Sequence, residues 1–426
     1  MNPMTERIYA RYWIETAFPL DSAAATMAGE QSTGTFLRVP EETDELRERF
    51  AARVESITEL GTVKTPSLPG SGAPKGASPH TPRRTAEVTL SWPIETMGPS
   101  LPNTLATVAG NLSELKQFSG LKLLDITLPP IFLTKYQGPQ FGIAGTRTFT
   151  GVQDRPIIGT IIKPSVGMLP DTTAAQVKTL VEAGIDFIKD DELQSDGPYC
   201  PFDQRVAAVM NVINRHADKT GKRVMYAANI TGDLDEMLRR HDTVVDHHGT
   251  CVMVSMNSIG LPAMRALRQH CQVAIHGHRN GWGMYGRSPA IGMSFIAFQK
   301  FWRLAGIDHT HVNGLSNKFC EPDDSVIASA RACLTPMFEP PNLGCEIMPV
   351  FSSGQSAKQA PATYKALRTV DLIYAAGGGI MGHPQGPTAG VLSLQQAWQA
   401  AVEDIPLTEY ATNHPELKAA LEMFGA

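Results

Sequence analysis

Residues 184–192 read Gly184-Ile185-Asp186-Phe187-Ile188-Lys189-Asp190-Asp191-Glu192. A short apolar run behind a glycine has the character of a buried strand, yet this one ends in a lysine and three carboxylates. Ordinary core strands do not finish on four charges. If the strand belongs to a parallel barrel, those residues lie at its carboxyl end, the face on which barrel enzymes carry their chemistry. Asp191 and Glu192 could then give oxygen ligands to a hard divalent ion such as Mg²⁺, which takes one or two carboxylates plus waters and substrate oxygens. Lys189 fits only as a charge partner of the acids or as an amine converted chemically into an anion. Taken alone, the cluster suits a salt-bridged turn equally well.

Outward from this stretch the pattern is regular. From about residue 150 short apolar strands alternate with amphipathic helices, the signature of parallel βα units. Strand candidates fall at 157–163, 186–190, 223–229, 251–255, 273–278, 309–312, 345–351 and 372–376. Eight such units over roughly 270 residues match the usual size of a (β/α)8 TIM barrel, so the expected class is α/β with a barrel over 146–426. Every predicted strand delivers polar or glycine residues to one rim. In order these are Lys163; Lys189, Asp191 and Glu192; Asn229; Ser255 and Asn257; His276, His278 and Arg279; His309 and His311; Ser352-Ser353-Gly354; and Gly377-Gly378-Gly379.

Residues 1–145 read as an α+β domain. Strand-like stretches stand at 8–16, 85–92 and 121–128, and helix-like ones at 22–28, 41–54 and 101–108. Residues 64–84 (KTPSLPGSGAPKGASPHTPRR) are so rich in Pro, Gly and Ser that an exposed mobile loop is expected there, away from catalysis. The 426 residues carry a net charge of -5, which gives no basic footprint for nucleic acid. Apolar runs fall short of a membrane span, and the N-terminus MNPMTERIYA lacks the basic-then-apolar order of a signal peptide, so a cytoplasmic protein is expected. Six scattered cysteines without a C-x-x-C pair suggest neither a zinc site nor a disulfide framework.

The rim residues also suggest chemistry. Three glycines after the eighth strand, with Ser352-Ser353-Gly354 after the seventh, suit phosphate, because backbone N–H groups approach an anion closely where side chains are absent. Singly, each could be no more than a tight turn. Arg279 can clamp a second anionic group, with His311 and Ser352 as further donors, or it can serve a structural salt bridge. His278 and His311 could be satisfied core histidines or working ones. Lys163 stands between Ile161-Ile162 and Pro164. Near apolar walls and a metal its pKa would fall, which suits proton exchange with an enolate. Lys318, in the flexible-looking stretch 313–318, could close over a ligand.

These motifs together resemble the large subunit of ribulose bisphosphate carboxylase (RuBisCO). The resemblance rests on Gly159-Thr-Ile-Ile-Lys163-Pro, Lys189-Asp-Asp-Glu192, His276-Gly-His278-Arg279, His309-Thr-His311 with a loop lysine, Ser352-Ser-Gly354 and Gly377-Gly-Gly379-Ile-Met-Gly-His-Pro384. Glu30-Gln-Ser-Thr-Gly-Thr35 and Gly110-Asn111 extend it to the N-terminal part, where it implies a ferredoxin-like α+β domain. It implies that Lys189 takes up CO2 as a carbamate and joins Asp191 and Glu192 in holding Mg²⁺, that Lys163 transfers protons, and that His278 is a general acid/base or hydroxyl contact. Arg279, His311 and Ser352 would bind one phosphate, and Thr35, Gly354, Gly377 and Gly378 the other anionic end. Glu30, Thr35 and Asn111 would complete the site of a neighbouring subunit, which implies a homodimer.

Departures from the carboxylase pattern are specific. A second lysine two residues after the first is replaced by Ser165, the tryptophan after Ser-Thr-Gly-Thr by Phe36, and a glycine by Ser353. The loop reads Leu315-Ser-Asn-Lys-Phe-Cys320. A cation lost beside the metal and an altered loop should compromise CO2 capture and closure over a bisphosphate. The chain is therefore similar to RuBisCO-like proteins and not to CO2-fixing enzymes. Its Gly29-Glu-Gln-Ser-Thr-Gly-Thr-Phe-Leu-Arg-Val39 and His276-Gly-His-Arg-Asn-Gly-Trp282 resemble the members that act on 3-oxo-isoapionate 4-phosphate in D-apionate catabolism. Decarboxylation to L-erythrulose 1-phosphate and CO2 is the expectation. Transcarboxylation/hydrolysis of the same compound, isomerase or enolase chemistry of methionine salvage, and a non-catalytic metabolite binder are the alternatives.

Overall fold

The computed structural model describes residues 6–34, 39–78 and 81–425. It divides into two compact units, one of Met1–Gln137, Gly281–Phe301 and Met337–Gly344, the other of Gly138–Asn280, Trp302–Pro336 and Cys345–Ala426. Among the described residues no helix is long and apolar enough to cross a membrane. All six cysteines are free thiols, and only Cys320 is exposed.

The first unit is built on strands β1 (Arg7–Thr16), β2 (Arg53–Val63), β3 (Arg83–Pro93) and β4 (Phe118–Thr127), with helices at Leu20–Glu30 and Leu101–Val108. Ile8, Ala10, Tyr12 and Ile14 alternate inward along β1, as a half-buried strand requires. Tyr12 Oη donates to Val108 O at 2.6 Å, which ties the sheet to the second helix.

One expectation is corrected in this unit. The helix expected over 41–54 stops at Phe50, and Arg53 begins β2. Nearly all of β2 is exposed, so no hydrophobic alternation marked it in the sequence. The segment 64–84 is anchored at its base. Ser67 donates from N and Oγ to the buried Glu15 carboxylate at 2.8 and 2.6 Å, and Leu68 N donates to Ser119 O at 3.0 Å. Its last two residues, Arg83 and Arg84, already belong to β3.

The second unit is a closed barrel of eight parallel strands. They are β5 (Ile157–Ile161), β6 (Phe187–Lys189), β7 (Met225–Asn229), β8 (Cys251–Ser255), β9 (Ala274–His278), β11 (His309–Asn313), β12 (Met348–Phe351) and β13 (Ile373–Ala375). Between β9 and β11 the chain forms β10 (Ile291–Met293), which pairs parallel with β4 and makes the sheet of the first unit β10-β4-β1-β3-β2. Ile157, Phe187, Met225, Met253, Met348 and Val350 fill the barrel interior. Gly159 faces Phe187, where an added Cβ would lie 2.9 Å from Cδ1, so the close approach of β5 and β6 needs glycine.

Buried carboxylates fasten the opposite end of the barrel. Asp186 takes Arg155 and Lys222, and Asp308 takes Arg268 together with the backbone N–H groups of Phe141, Gly142 and Ile275. The rim at the carboxyl ends of the strands is thus left to other residues.

Candidate active site

Alternation along β6 sorts its terminal charges. Lys189 turns inward and is 1% exposed, donating from Nζ to Asp190 O at 2.7 Å with Glu192 Oε2 at 3.7 Å. Burial pushes its pKa down against the pull of Glu192, Asp191 and Asp190. Asp190 points the other way. Its Oδ2 accepts from Arg205 Nη2 at 3.2 Å and Asn229 N at 2.9 Å, and its Oδ1 accepts from Tyr226 Oη. One of the three acids is therefore a fastener of β6 to β7, and Asp191 and Glu192 are left for the rim.

Lys163, one residue beyond Ile162, donates from Nζ to Asp191 Oδ2 at 2.6 Å and to Ser165 Oγ at 2.8 Å. Ser165 Oγ donates to the same carboxylate oxygen at 3.0 Å. Burial would raise the pKa of Asp191, but hydrogen bonds from Lys163 and Leu193 N and the positive charges of Lys163 and Lys189 hold it below the ordinary range. Glu192 is likewise pushed up by burial and brought lower by His278 and Lys189. His278 Nε2 stands 3.3 Å from Glu192 Oε2, and its Nδ1 faces both Asn280 N and Asn280 Oδ1 at 3.2 Å. Burial, with the repulsion of Lys189, brings this histidine down to about 4.

These donors fit a hard divalent cation. Glu192 pairs with buried Lys189 and Asp191 lies close enough to act on its charge, and burial drives that amine toward its neutral form, the form that can add to CO2 and become a third oxygen donor. A second His/Asp group, His241, Asp242 and His270, lies on the helices outside the barrel. It suits a metal poorly. Gln272 N donates to His241 Nε2 at 3.2 Å, which leaves the proton on Nδ1, and that nitrogen points at Asp242.

Around the rest of the rim, Ser352 Oγ lies 2.8 Å from His311 Nδ1, and His311 Nε2 lies 2.8 Å from His276 Nε2. His276 Nδ1 is buried and has no partner among the described residues. An orphaned N–H costs more than an orphaned lone pair, so His276 carries its proton on Nε2 and gives it to His311. His311 then donates from Nδ1 to Ser352, whose own hydroxyl hydrogen is left for another acceptor, with Ser353 Oγ at 3.4 Å. His276 sets this chain of donors, although the sequence reading made it only a rim residue.

Arg279 is in an ion pair, the alternative that the sequence had left open. Its Nη2 meets Glu321 Oε2, which also accepts from Asn313 Nδ2 at 2.7 Å. Glu321 was not foreseen as a site residue, since it stands in a loop with no local signal. Ser353 and Gly354 both adopt positive φ, and Ser353 Oγ donates to Asn313 Oδ1 at 2.8 Å. Lys318 N donates to Ser353 O at 3.1 Å, while its ammonium sits 5.2 Å from the centre of the Phe319 ring. Gly377 and Gly378 open a short helix, and a Cβ on Gly378 would meet nothing within 4 Å. At Gly379 a Cβ would come within 2.5 Å of Gln355 O, so that glycine serves packing.

Glu30 ends the helix Leu20–Glu30 and Asn111 opens a 3-10 turn, both in the sheet unit. Thr35 and Phe36 lie outside the described residues.

Residues 142–424 match the family model of the ribulose bisphosphate carboxylase large chain, catalytic domain, and residues 2–132 match that of its N-terminal domain. The chain belongs to the RuBisCO large-chain family. A protein of Xanthobacter autotrophicus described as a 3-oxo-isoapionate-4-phosphate transcarboxylase/hydrolase is 55% identical over 98% of this chain and 99% of its own length. A Rhizobium rhizogenes protein described as a 3-oxo-isoapionate-4-phosphate decarboxylase is 46% identical over 97% of each. The crystal structure of a RuBisCO-like protein from Burkholderia fungorum superposes with a TM-score of 0.90 at 44% identity, over 98% of this chain and 99% of that one.

Within the RuBisCO frame, the Ser165 substitution has a local effect. The hydroxyl keeps a hydrogen bond to Asp191 but brings no second positive charge, so among the described residues Lys163 is the one cation held on that carboxylate oxygen.

Proposed function

We propose that this chain acts on 3-oxo-isoapionate 4-phosphate and breaks the bond to its carboxyl group, releasing CO2 and leaving an enolate. The observation that carries this reading is Lys163 held on Asp191 beside buried Lys189, which places one mobile proton next to a set of oxygen donors. Relatives at 55% and 46% identity that bear this substrate in their names support the choice of substrate. Held by Asp191, Glu192 and the carbamate of Lys189, Mg²⁺ would supply Lewis-acid polarisation of the keto group.

The chain's own residues do the rest. Neutral Lys189 adds to CO2 and loses a proton to form the carbamate. Gly377, Gly378 and Gly354 cradle the phosphate, and Arg279, His311 and Ser352 receive the far end of the substrate. His278 donates from Nε2 to a substrate hydroxyl. When the carbon–carbon bond to the carboxyl group breaks, its electron pair passes into the enolate. Lys163 then gives its Nζ proton to carbon, and the half-exposed ammonium is recharged from solvent. The product is L-erythrulose 1-phosphate. Lys318 closes over the bound substrate from the loop after β11. The working unit is a homodimer in which Glu30, Thr35 and Asn111 complete the neighbouring site, a reading supported by a solved relative titled as a dimeric RuBisCO from Hyperthermus butylicus.

The higher identity to the transcarboxylase/hydrolase favours a second fate for the same enolate. CO2 would be recaptured at the other enolate carbon, and water would split the new acid into glycolate and 3-phosphoglycerate. Ser165 favours protonation, because it puts a neutral hydroxyl and not a second cation beside Lys163 and Asp191. Substrate labelled with ¹³C in the carboxyl group separates the two. Label leaving as CO2 with erythrulose phosphate supports decarboxylation, label retained in an acid product supports transfer and hydrolysis, and no turnover of any kind rejects both.

A further inference from the structure

Arg279 lies where the substrate's far end would sit, yet this corner of the rim carries no net positive charge. The guanidinium is buried to 6% exposure and ion-paired with Glu321, whose side chain is itself 12% exposed. Glu321 is held from three sides. Oε2 accepts from Arg279 and from Asn313 Nδ2 at 2.7 Å, and Oε1 accepts from Ser325 Oγ at 2.8 Å. Asn313 is fixed in turn by Ser353 Oγ and by its backbone carbonyl, which accepts from Ser352 N at 3.1 Å. A carboxylate with so many donors is a fixed wall, since moving it would strand several buried polar groups.

Among the described residues no second cation is ion-paired with Glu321, and Lys318 on the same loop holds its ammonium over the Phe319 ring, 5.2 Å from the ring centre. Both nitrogens of His311 are engaged by His276 and Ser352, and the ring is buried. A phosphate dianion placed against Arg279 would thus meet one cation and one fixed anion, and the balance of charge there would be strongly negative. A hydroxyl or a single carboxylate meets no such penalty, because Ser352 and the guanidinium can still donate to it.

We propose that Glu321 is a specificity determinant that excludes a second phosphate from the Arg279 corner and so restricts the site to substrates with one phosphate. This rests on the proposed function only in taking Arg279, His311 and Ser352 as the substrate's far-end contacts. Discrimination comes from a built-in repulsive group and not from an absent attractive one.

The test is equilibrium binding, which needs no turnover and so stands apart from the reaction proposed above. Calorimetric titration of the full chain with Mg²⁺ and bicarbonate would compare ribulose 1,5-bisphosphate with ribulose 5-phosphate on wild type and on Glu321→Gln. The expected result is at least a tenfold tightening for the bisphosphate with less than a twofold change for the monophosphate. Equal changes for both ligands, or none for either, would overturn the proposal. Ser325→Ala, an exposed change that removes one anchor of the carboxylate, guards against a folding defect in Glu321→Gln. It should shift the bisphosphate-to-monophosphate ratio in the same direction by a smaller factor, and an unchanged ratio counts against the idea.

Discussion

His276 and His311 meet Nε2 to Nε2 at 2.8 Å, so two buried imidazoles share a single proton. The orphaned Nδ1 of His276 decides which ring owns it, and that choice passes through His311 to the hydroxyl of Ser352. Replacing His276 with Ala leaves His311 free to adopt the other tautomer, in which Nδ1 no longer donates to Ser352. KM for the phosphorylated substrate should rise about tenfold, the cost of one hydrogen bond to the far end of the substrate, with kcat changed less than threefold. Steady-state kinetics check the split, and a fall in kcat with unchanged KM would contradict it.

The buried histidines also fix a dependence of stability on pH. Burial lowers His309 to about 3 and drives His276 and His311 well below their ordinary value. The folded chain therefore binds fewer protons than the unfolded one once pH falls below about 6.5. Stability from these groups is complete above that pH and declines below it by about 1.4 kcal/mol per pH unit for each histidine. Urea midpoints between pH 7.5 and 4.5 should show this decline, and His309→Gln should reduce its slope by one proton.

Lys163→Met removes the proton held beside Asp191 without breaking the barrel. A positioned general acid contributes about 10²- to 10⁴-fold, so kcat should drop by that factor. Substrate binding measured by calorimetry should survive. Lys189→Ala should abolish turnover and remove any activation by bicarbonate with Mg²⁺.

Asp190→Asn tests the division of labour among the three acids. Arg205, fully buried, would lose its countercharge, and breaking such a pair costs about 3–5 kcal/mol. Chemical denaturation should register this loss. A variant as stable as wild type would mean that Asp190 is not the fastener described above.

Two neighbouring glycines should behave oppositely. Gly378→Ala meets no atom of the chain and should fold normally while weakening binding of the phosphorylated substrate. Gly379→Ala drives a Cβ into the backbone at Gln355 and Ser356 and should fail to accumulate as folded protein. Soluble yield and thermal unfolding separate the two.

The barrel was legible because each strand is a short apolar run ending in chemistry, and the period of two along β6 already implied that Lys189 and Asp190 point apart. Other parts left no local trace. β2 is exposed on both faces and so shows no alternation, and the anchoring of Ser67 and Leu68 depends on Glu15 and Ser119, which are distant in sequence. Glu321 has the same character. Its role is defined by Arg279, 42 residues earlier, and no pattern within its own loop announces it.

The excursion that forms β10 has a consequence for how the chain is made. Ser294, just after β10, bonds to Leu124, which the ribosome has released 170 residues earlier. Until then the outer edge of β4 waits unpaired, with its row of backbone donors and acceptors open to other chains. A gene fragment ending at residue 137 would keep that edge permanently, so it should aggregate in the cell unless the 281–301 segment is supplied with it.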